Sequence, residues 1–219
     1  MNRLTIYILK RYLLLLAGLA IMAFGVAFSI KASLGTSPIS SVPYVVSLFS
    51  PLTVGTATIV MHCFFILLQI LILRRNYHPI QLMQLPVAFF FGYLTDFGVW
   101  AVQGISCHTY WQQWIVCLIG ILLVAAGVSL EVKAGVVGLA GEGVVLAICK
   151  AIPSLKFGYM KVGFDVILVI IACILSISFT GRLQGVREGT VAAAVMVGLI
   201  ARQFGKVLAR WKLEDEQSA

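Results

Sequence analysis

Six runs of about twenty predominantly apolar residues follow one another along this 219-residue chain. Each run is long enough to cross the hydrocarbon core of a bilayer as an α-helix. Hydrophobic residues make up 61% of the chain and charged residues 11%, which is more apolar surface than a water-soluble domain of this length can bury. These features predict an all-α polytopic membrane protein that has the lipid bilayer as its partner. The predicted spans cover residues 12–30, 53–73, 80–102, 115–132, 158–179 and 189–207.

Two irregular segments interrupt this series, one after the first span (residues 33–52) and one after the fourth (residues 134–157). Each combines glycine-containing irregular chain with an apolar core that is too short to cross a bilayer. Backbone that is not helical at membrane depth is tolerated only where protein or a water-filled cavity covers it. Each segment is therefore predicted to hold a re-entrant half-helix.

The two interrupted segments belong to an internal repeat. Gly25–Ser41 (GVAFSIKASLGTSPISS) and Gly127–Gly143 (GVSLEVKAGVVGLAGEG) share Gly, Val, Lys and Ala in register over their first eight positions. The shared lysines are Lys31 and Lys133. The similarity continues into the following spans, where it pairs Gly55 with Gly158, His62 with Asp165, Gly92 with Gly198, and Asp96 with Arg202.

Each copy of the repeat contains three crossings, and an odd number makes the two copies insert in opposite senses. The chain is thus predicted to form six transmembrane helices as two inverted three-helix repeats. Such a repeat is either the trace of a gene duplication alone or the basis of alternating access around one central site. The predicted organisation is an N-terminal segment 1–11, a first repeat 12–104, an outer loop 105–111, a second repeat 112–208 and a tail 209–219.

The basic residues predict the orientation. With the N-terminus inside, twelve Lys and Arg residues lie on the inner side and three, Lys31, Arg182 and Arg187, on the outer side. Both termini are therefore expected to be cytoplasmic. The formal net charge of +8 does not indicate a nucleic-acid partner, because the basic residues flank spans instead of covering one polar face.

Ionisable side chains inside the predicted spans are costly to bury and mark either structural pairs or a path for a solute or protons. The helical rise places Asp96 and Arg202 about 15 Å apart in depth, so these two are not expected to pair. Two separate clusters are predicted instead. The inner one contains Glu131, Lys133, Glu142, Asp165 and Arg202, and the outer one contains Lys31, His62, Asp96, Arg187 and Glu188. The expected pairs are Asp165 or Glu142 with Arg202, and Asp96 with Arg187 or Lys31. His62 is either a packing residue or a proton relay.

The half-helix starts are the second group of candidates. Ser37 and Ser40 offer hydroxyl caps in the first copy, and Glu142 places a carboxylate near the positive end of a helix dipole in the second. These residues are either ordinary caps or two tips that face a substrate. The copies differ most in charge, because Glu131 and Glu142 replace Ser29 and Ser40. We expect any functional asymmetry between the two faces to begin there.

Covalent chemistry has no recognisable basis in the chain. There is no nucleophile–base pair, phosphate-binding loop or metal-ligand set, and the five cysteines show no paired spacing. We therefore expect neither an enzyme nor a bound metal or cofactor.

The pieces KASLGTSPISSVPY, LTVGTAT, PIQLMQLPVAFFFGYLTD, GVSLEVKA with GEG, and GVREGT occur in the chain between residues 12 and 208. Together they resemble the YitT/YczE-like family of bacterial multi-pass membrane proteins of unknown function. The resemblance implies a bacterial cytoplasmic-membrane protein with a transport role, but no substrate. Many relatives carry a Pro-Trp-Asp-type triplet after the first break, whereas this chain has Ser37-Pro38-Ile39-Ser40, so no acidic residue is carried over there.

Two functions fit these features. The first is a secondary transporter or exporter that moves a small solute by alternating access, with an anion favoured by half-helix N-termini. The second is a non-transporting scaffold or substrate-capture subunit that needs a partner, which small residues on the last span would pack against. Self-association into a homo-oligomer is left open.

Overall fold

The computed structural model describes residues 3–209, and side chains from residue 5 to residue 208. This part of the chain is all-helical, and six of its helices are long and apolar enough to cross a membrane. The prediction of an all-α multi-pass membrane protein is confirmed. The helices are α1 (Arg3–Ala32), α2 (Pro38–Phe49), α3 (Val54–Leu73), α4 (Gln84–Ala101), α5 (Tyr110–Ala134), α6 (Ala140–Ala151), α7 (Phe157–Thr180) and α8 (Glu188–Ala209).

Several helix ends differ from the predicted bounds. The first helix begins at Arg3 and so takes up most of the predicted N-terminal segment 1–11. The start of α4 is delayed to Gln84, because Pro79–Met83 forms a 3₁₀ turn. A capping box between Thr109 and Gln112 starts α5 at Tyr110, and because α4 ends at Ala101 the connecting loop is 102–109 instead of the predicted 105–111. Beyond residue 209, the predicted tail lies outside the described residues.

The two short helices, α2 and α6, have 12 residues each and lie within the two interrupted segments, 33–52 and 134–157. Proline at the first position suits the start of α2, because its missing N–H would be unpaired there. Gly135, in the left-handed conformation with φ 57°, ends α5 and lets the chain turn toward α6. The first turns of the short helices meet, since a Cβ on Gly141 would lie 2.2 Å from Cδ1 of Ile39.

The centre of the molecule is the antiparallel pair of α1 and α5. Their backbones touch at two glycine pairs, Gly18 with Gly127 and Gly25 with Gly120. A Cβ on Gly127 would lie 2.6 Å from the Gly18 carbonyl oxygen, and one on Gly25 would lie 2.6 Å from the Val124 amide nitrogen. Close approach through small residues is how helices pack in a bilayer, where apolar side chains gain little by leaving lipid.

The remaining helices surround this pair. The short helix α2 packs on α7, and α6 packs on α3, while α4 lies against α1 and α8 against α5. We call the side where α1 begins and α8 ends the terminal face, and the other side the opposite face. Because the crossings alternate in direction, α3 ends and α7 begins at the terminal face.

Candidate functional site

A cavity of about 340 Å³ lies between the helices, toward the ends of α7 and α8 that reach the terminal face. Both short helices contribute their first turns to its wall. Most of the wall is aliphatic or aromatic, and volumes of this size are typical of sites for small molecules. Its polar lining consists of Ser37, Ser40, Thr58, His62, Glu131, Glu142, Lys161 and Asp165. Six of the twelve residues proposed from the sequence are thus brought together at one place.

The tip of α6 is held by a carboxylate from α5. Glu131 is only 7% exposed, and its Oε1 accepts a hydrogen bond of 2.6 Å from the Leu139 backbone N–H. This N–H is one of the unpaired donors at the start of α6, and the negative charge is stabilised there by the helix dipole. Arg11 donates to the carbonyl oxygens of Ala134 and Gly135, which fixes the chain between the two helices.

The tip of α2 carries no charge. Ser37 is the residue before the first turn, but its side chain does not cap the helix as expected, because its hydroxyl donates to Oγ of Ser40 at 3.0 Å instead. The Ser41 hydroxyl donates to the Pro38 carbonyl at 2.6 Å. The two tips that meet in the cavity therefore differ in charge, as expected from the different residues in the two copies of the repeat.

Charged side chains of α6 and α7 form the polar part of the wall. Lys161 and Asp165, one helical turn apart on α7, form a salt bridge of 2.5 Å. The partner expected for Asp165 was Arg202, which instead is exposed on α8. Glu142 is acted on by the charges of Lys161 and Asp165, but between residues 5 and 208 it forms no hydrogen bond or salt bridge. It is the one cavity carboxylate without such a partner in that range.

His62 lies on the wall of the cavity near the middle of α3. Its side chain is 1% exposed, and its Nδ1 has no hydrogen-bond partner in the described part of the chain. The ring packs edge-on against Phe65 and Phe91, with centroid distances of 6.0 and 6.3 Å. The residue is therefore an aromatic packing residue with an unsatisfied polar atom, and it also contacts the cavity.

The cavity extends toward the terminal face because α7 and α8 do not pack on each other. A Cβ added at Gly158 or Gly198 would meet nothing within 4 Å, and both glycines line the cavity. The corresponding helices of the first repeat are in close contact. A Cβ on Gly55 in α3 would lie 2.1 Å from the carbonyl oxygen of Gly92 in α4.

At the opposite face, the loop after α1 closes against the loop before α8. The Gly189 N–H donates to the Leu34 carbonyl at 2.8 Å, and the Thr36 N–H donates to the Gly185 carbonyl at 3.2 Å. Leu34 and Thr36 are fully buried in this contact. Paired backbone groups therefore join the two loops on this side.

The sequence was compared with protein families, curated proteins and solved structures. A model of a family of unknown function, DUF6198, matches residues 9–206, which is nearly the whole chain. The chain belongs to this family. No curated protein and no solved structure has significant similarity to it. The match includes the whole cavity lining and all or most of each helix, and it does not identify the YitT/YczE-like family that the motifs resemble.

Outside the cavity, the structure of this family member gives Asp96 a different role from the expected one. Its Oδ1 accepts from the Gly55 N–H at 2.7 Å, and its Oδ2 accepts from the Thr53 hydroxyl at 2.6 Å. The carboxylate thus caps the start of α3 from α4. Arg187 and Lys31, the expected partners, bond elsewhere because the packing of α3 on α4 brings a helix start closer than either base.

Replacing Asp96 with alanine is expected to destabilise the protein by about 2 kcal/mol, because helix-start donors lose their acceptor. Asparagine keeps one acceptor oxygen and should cost about half as much. The measurement is the free energy of unfolding in mixed detergent–SDS micelles. Equal stability of the alanine and wild-type proteins would show that the cap contributes nothing.

The remaining candidates make contacts at the two faces. Lys31 donates to the Gln103 carbonyl at 2.9 Å, and Lys133 donates to the Leu208 carbonyl at 2.8 Å. Arg187 donates to the Ser33 carbonyl and to the Glu188 carboxylate, each at 3.0 Å. These contacts close helix ends and do not reach the cavity. They correspond to the structural alternative that the sequence left open.

A buried polar contact outside the cavity was not predicted from the sequence either. Gln69 of α3 is fully buried, and its Nε2 donates to Oε1 of Gln84 at 2.8 Å and to the Ala140 carbonyl at 3.1 Å. The contact ties α3, α4 and the tip of α6 together near the terminal face. The signal in the sequence was Gln69 itself, an uncharged polar side chain within the second predicted span. A search limited to ionisable residues does not find it, because an amide carries no charge.

Proposed function

We propose that this chain is a secondary transporter that moves a small solute across the bacterial cytoplasmic membrane by alternating access. The observation that carries the proposal is the cavity, which the tips of both short helices line and which extends toward one face. The tips come from the two segments that repeat in the sequence. A central site between two such segments is the arrangement that inverted-repeat transporters use.

The packing supports an inverted repeat. The contact of α2 with α7 corresponds to that of α6 with α3, and the contact of α1 with α4 corresponds to that of α5 with α8. The glycine pairs of α1 and α5 also correspond, because Gly25 aligns with Gly127 and Gly18 with Gly120. Exchanging the two copies converts one glycine pair into the other. This relation is expected of a pseudo-twofold axis that passes between α1 and α5.

One packing contact breaks this correspondence. The first repeat has α3 tightly packed on α4, whereas the equivalent helices of the second repeat, α7 and α8, stand apart. In an inverted repeat, exchanging the conformations of the two copies generates a second state. In that state α7 and α8 would close through Gly158 and Gly198. The helices α3 and α4 would separate, and the cavity would open at the opposite face.

The predicted orientation gives the two states a direction. With both termini in the cytoplasm, the terminal face is cytoplasmic, so the structure corresponds to the state open to the cytoplasm. Asp96 would release Thr53 and Gly55 when the outward-facing state forms. The cavity is assigned to binding and passage, without covalent chemistry.

The charge of the wall changes one expectation. Three carboxylates and a single lysine line the cavity, and the start of α6 is already occupied by Glu131. Such a lining repels an anion. The anionic solute favoured by the half-helix starts is therefore not retained in the proposal.

The test blocks the closure of α7 on α8. Leucine at Gly198 or Gly158 is expected to be accommodated in the state described, because an added Cβ at either position meets nothing within 4 Å. The matched controls are Gly205→Leu on α8 and Gly163→Leu on α7, which also face open space but do not line the cavity. We expect all four variants to keep the thermal stability of the wild type, and only the first two to block the exchange of states.

Exchange is followed by cysteine labelling after the five native cysteines are replaced by alanine. Ile59→Cys reports the separation of α3 and α4, because Ile59 packs on Gly92 and is 9% exposed. An impermeant maleimide added at the opposite face should label it. Gly198→Leu should slow that labelling by about tenfold or more, since closure against leucine adds well over 1.4 kcal/mol.

Two outcomes would count against the proposal. If Gly198→Leu and Gly205→Leu are labelled at equal rates, α7 and α8 do not form the gate. If Ile59→Cys is never labelled in any variant, the protein does not exchange states. That second result would favour the alternative function, a capture subunit that needs a partner.

A further inference from the structure

We propose that the cavity binds a small organic cation, with the carboxylate of Glu142 as its counter-charge and the imidazole of His62 as a second polar contact. The assignment deepens the proposed function and rests on it for passage across the membrane. Binding itself needs only the cavity in the state described.

The first argument is the charge of the wall. Asp165 is neutralised by Lys161 at 2.5 Å, and Glu131 is used by the start of α6 at 2.6 Å. Glu142 forms no hydrogen bond or salt bridge with residues 5–208. A carboxylate at a partly covered site is strongly favoured to hold an opposite charge. A cation or a hydrogen-bond donor bound in the cavity would therefore pair with the Glu142 carboxylate.

A residue of the same wall holds a second polar atom that lacks a partner in the described part of the chain. His62 is 1% exposed and lines the cavity, yet its Nδ1 has no partner within the described residues. Buried polar atoms in proteins are nearly always paired, and the exceptions often lie at binding sites. A neutral imidazole has one nitrogen that accepts a hydrogen bond, and a protonated amine offers donors for it.

The third argument separates an organic cation from a metal ion. A hard metal ion needs several oxygen ligands close together. In the described part of the chain, no group of three or more His, Cys, Asp or Glu side chains is placed to hold a metal. The wall is mostly apolar, with Met22, Met61, Phe91 and Phe157 among its residues. Such a wall suits a compact hydrocarbon body with one charged end.

The test uses three probes that share a phenylethyl body: phenethylammonium, phenethyl alcohol and 3-phenylpropionate. The purified full chain is unfolded thermally in detergent with each probe over the same concentration range. We expect the cation alone to raise the unfolding temperature in a saturable way, because ligands that bind only the folded state stabilise it.

Two variants locate the binding. Glu142→Gln keeps the shape of the side chain and should weaken binding of phenethylammonium about tenfold or more, because a charge-assisted hydrogen bond is lost. Glu188→Gln removes a carboxylate at the opposite face, outside the cavity, and should bind like the wild type. His62→Phe keeps an aromatic ring but removes the acceptor nitrogen, so it should also weaken binding of phenethylammonium.

Several outcomes would overturn the assignment. These are equal stabilisation by the alcohol, stronger stabilisation by the anion, an unchanged affinity of Glu142→Gln, or no stabilisation by the cation. The labelling of Ile59→Cys does not depend on any probe. A protein that exchanges states but ignores phenethylammonium would therefore contradict the solute class and leave the transport proposal intact.

Discussion

Gly127→Ala is expected to lower the free energy of unfolding by about 3 kcal/mol, although it adds a single methyl group. The added Cβ would lie 2.6 Å from the Gly18 carbonyl oxygen and 2.8 Å from the Met22 amide nitrogen. Both are backbone atoms, so no side chain can rotate away to make room. The helices α1 and α5 would have to separate along the contact that forms the centre of the fold.

The matched control for this substitution is Gly205→Ala in α8, where an added Cβ meets nothing within 4 Å. Alanine is the better helix former, so the control should be neutral or up to about 1 kcal/mol more stable than the wild type. Unfolding by SDS in mixed micelles, followed by tryptophan fluorescence, measures both variants. If the two substitutions change the free energy of unfolding equally, helix propensity decides the result and the contact of α1 with α5 does not.

Glu131→Leu is expected to cost about 2 kcal/mol and to loosen the tip of α6. Leucine fills a similar volume but leaves the Leu139 N–H without an acceptor, and a buried unpaired donor costs about 1–3 kcal/mol. The favourable interaction of the charge with the start of the helix is also lost. Glu131→Gln keeps an acceptor oxygen and should lose only part of this stability.

The control for Glu131 is the aligned residue of the first repeat. Ser29 is buried, but its hydroxyl donates to the Gly25 carbonyl of its own helix at 3.0 Å and holds no half-helix tip. Ser29→Ala should therefore change stability by less than about 0.5 kcal/mol. Hydrogen exchange gives the local readout. Faster exchange at residues 135–143 is expected in Glu131→Leu only, and unchanged exchange there would contradict the anchoring role.

The contacts of Glu131 and Ser29 differ between the two copies of the repeat, and a functional asymmetry that begins there stays a prediction. Glu131 reaches the start of the next helix, whereas Ser29 bonds within α1. Glu142 stands in the cavity without a hydrogen bond or salt bridge to residues 5–208, whereas Ser40 is bonded to Ser37. The substitution of two serines by two acids makes one tip charged and the other neutral.

Most of the candidate site was predictable as a set of residues, but not as a set of contacts. Residues at both half-helix starts and in mid-span were singled out because polar groups there are costly, and six of them line the cavity. Their partners were not predictable. Asp165 pairs with a lysine one turn away on α7, and Asp96 bonds the start of α3. Both partners are set by which groups the packing brings nearest, and depth in the membrane alone does not give that.

The sequence by itself determined the number and approximate bounds of the membrane spans and the positions of the two short helices. In a bilayer each segment must satisfy its own backbone hydrogen bonds, so length and apolar character decide the structure of a segment locally. Only the tertiary structure decided which charges meet, which Gln side chains join three helices, and which side of the cavity is open. Those features depend on how closely two helices approach. Gly55 and Gly92 are in close contact, whereas the aligned glycines Gly158 and Gly198 are not. Because these positions hold glycine in both copies, the sequence cannot show which pair is in contact.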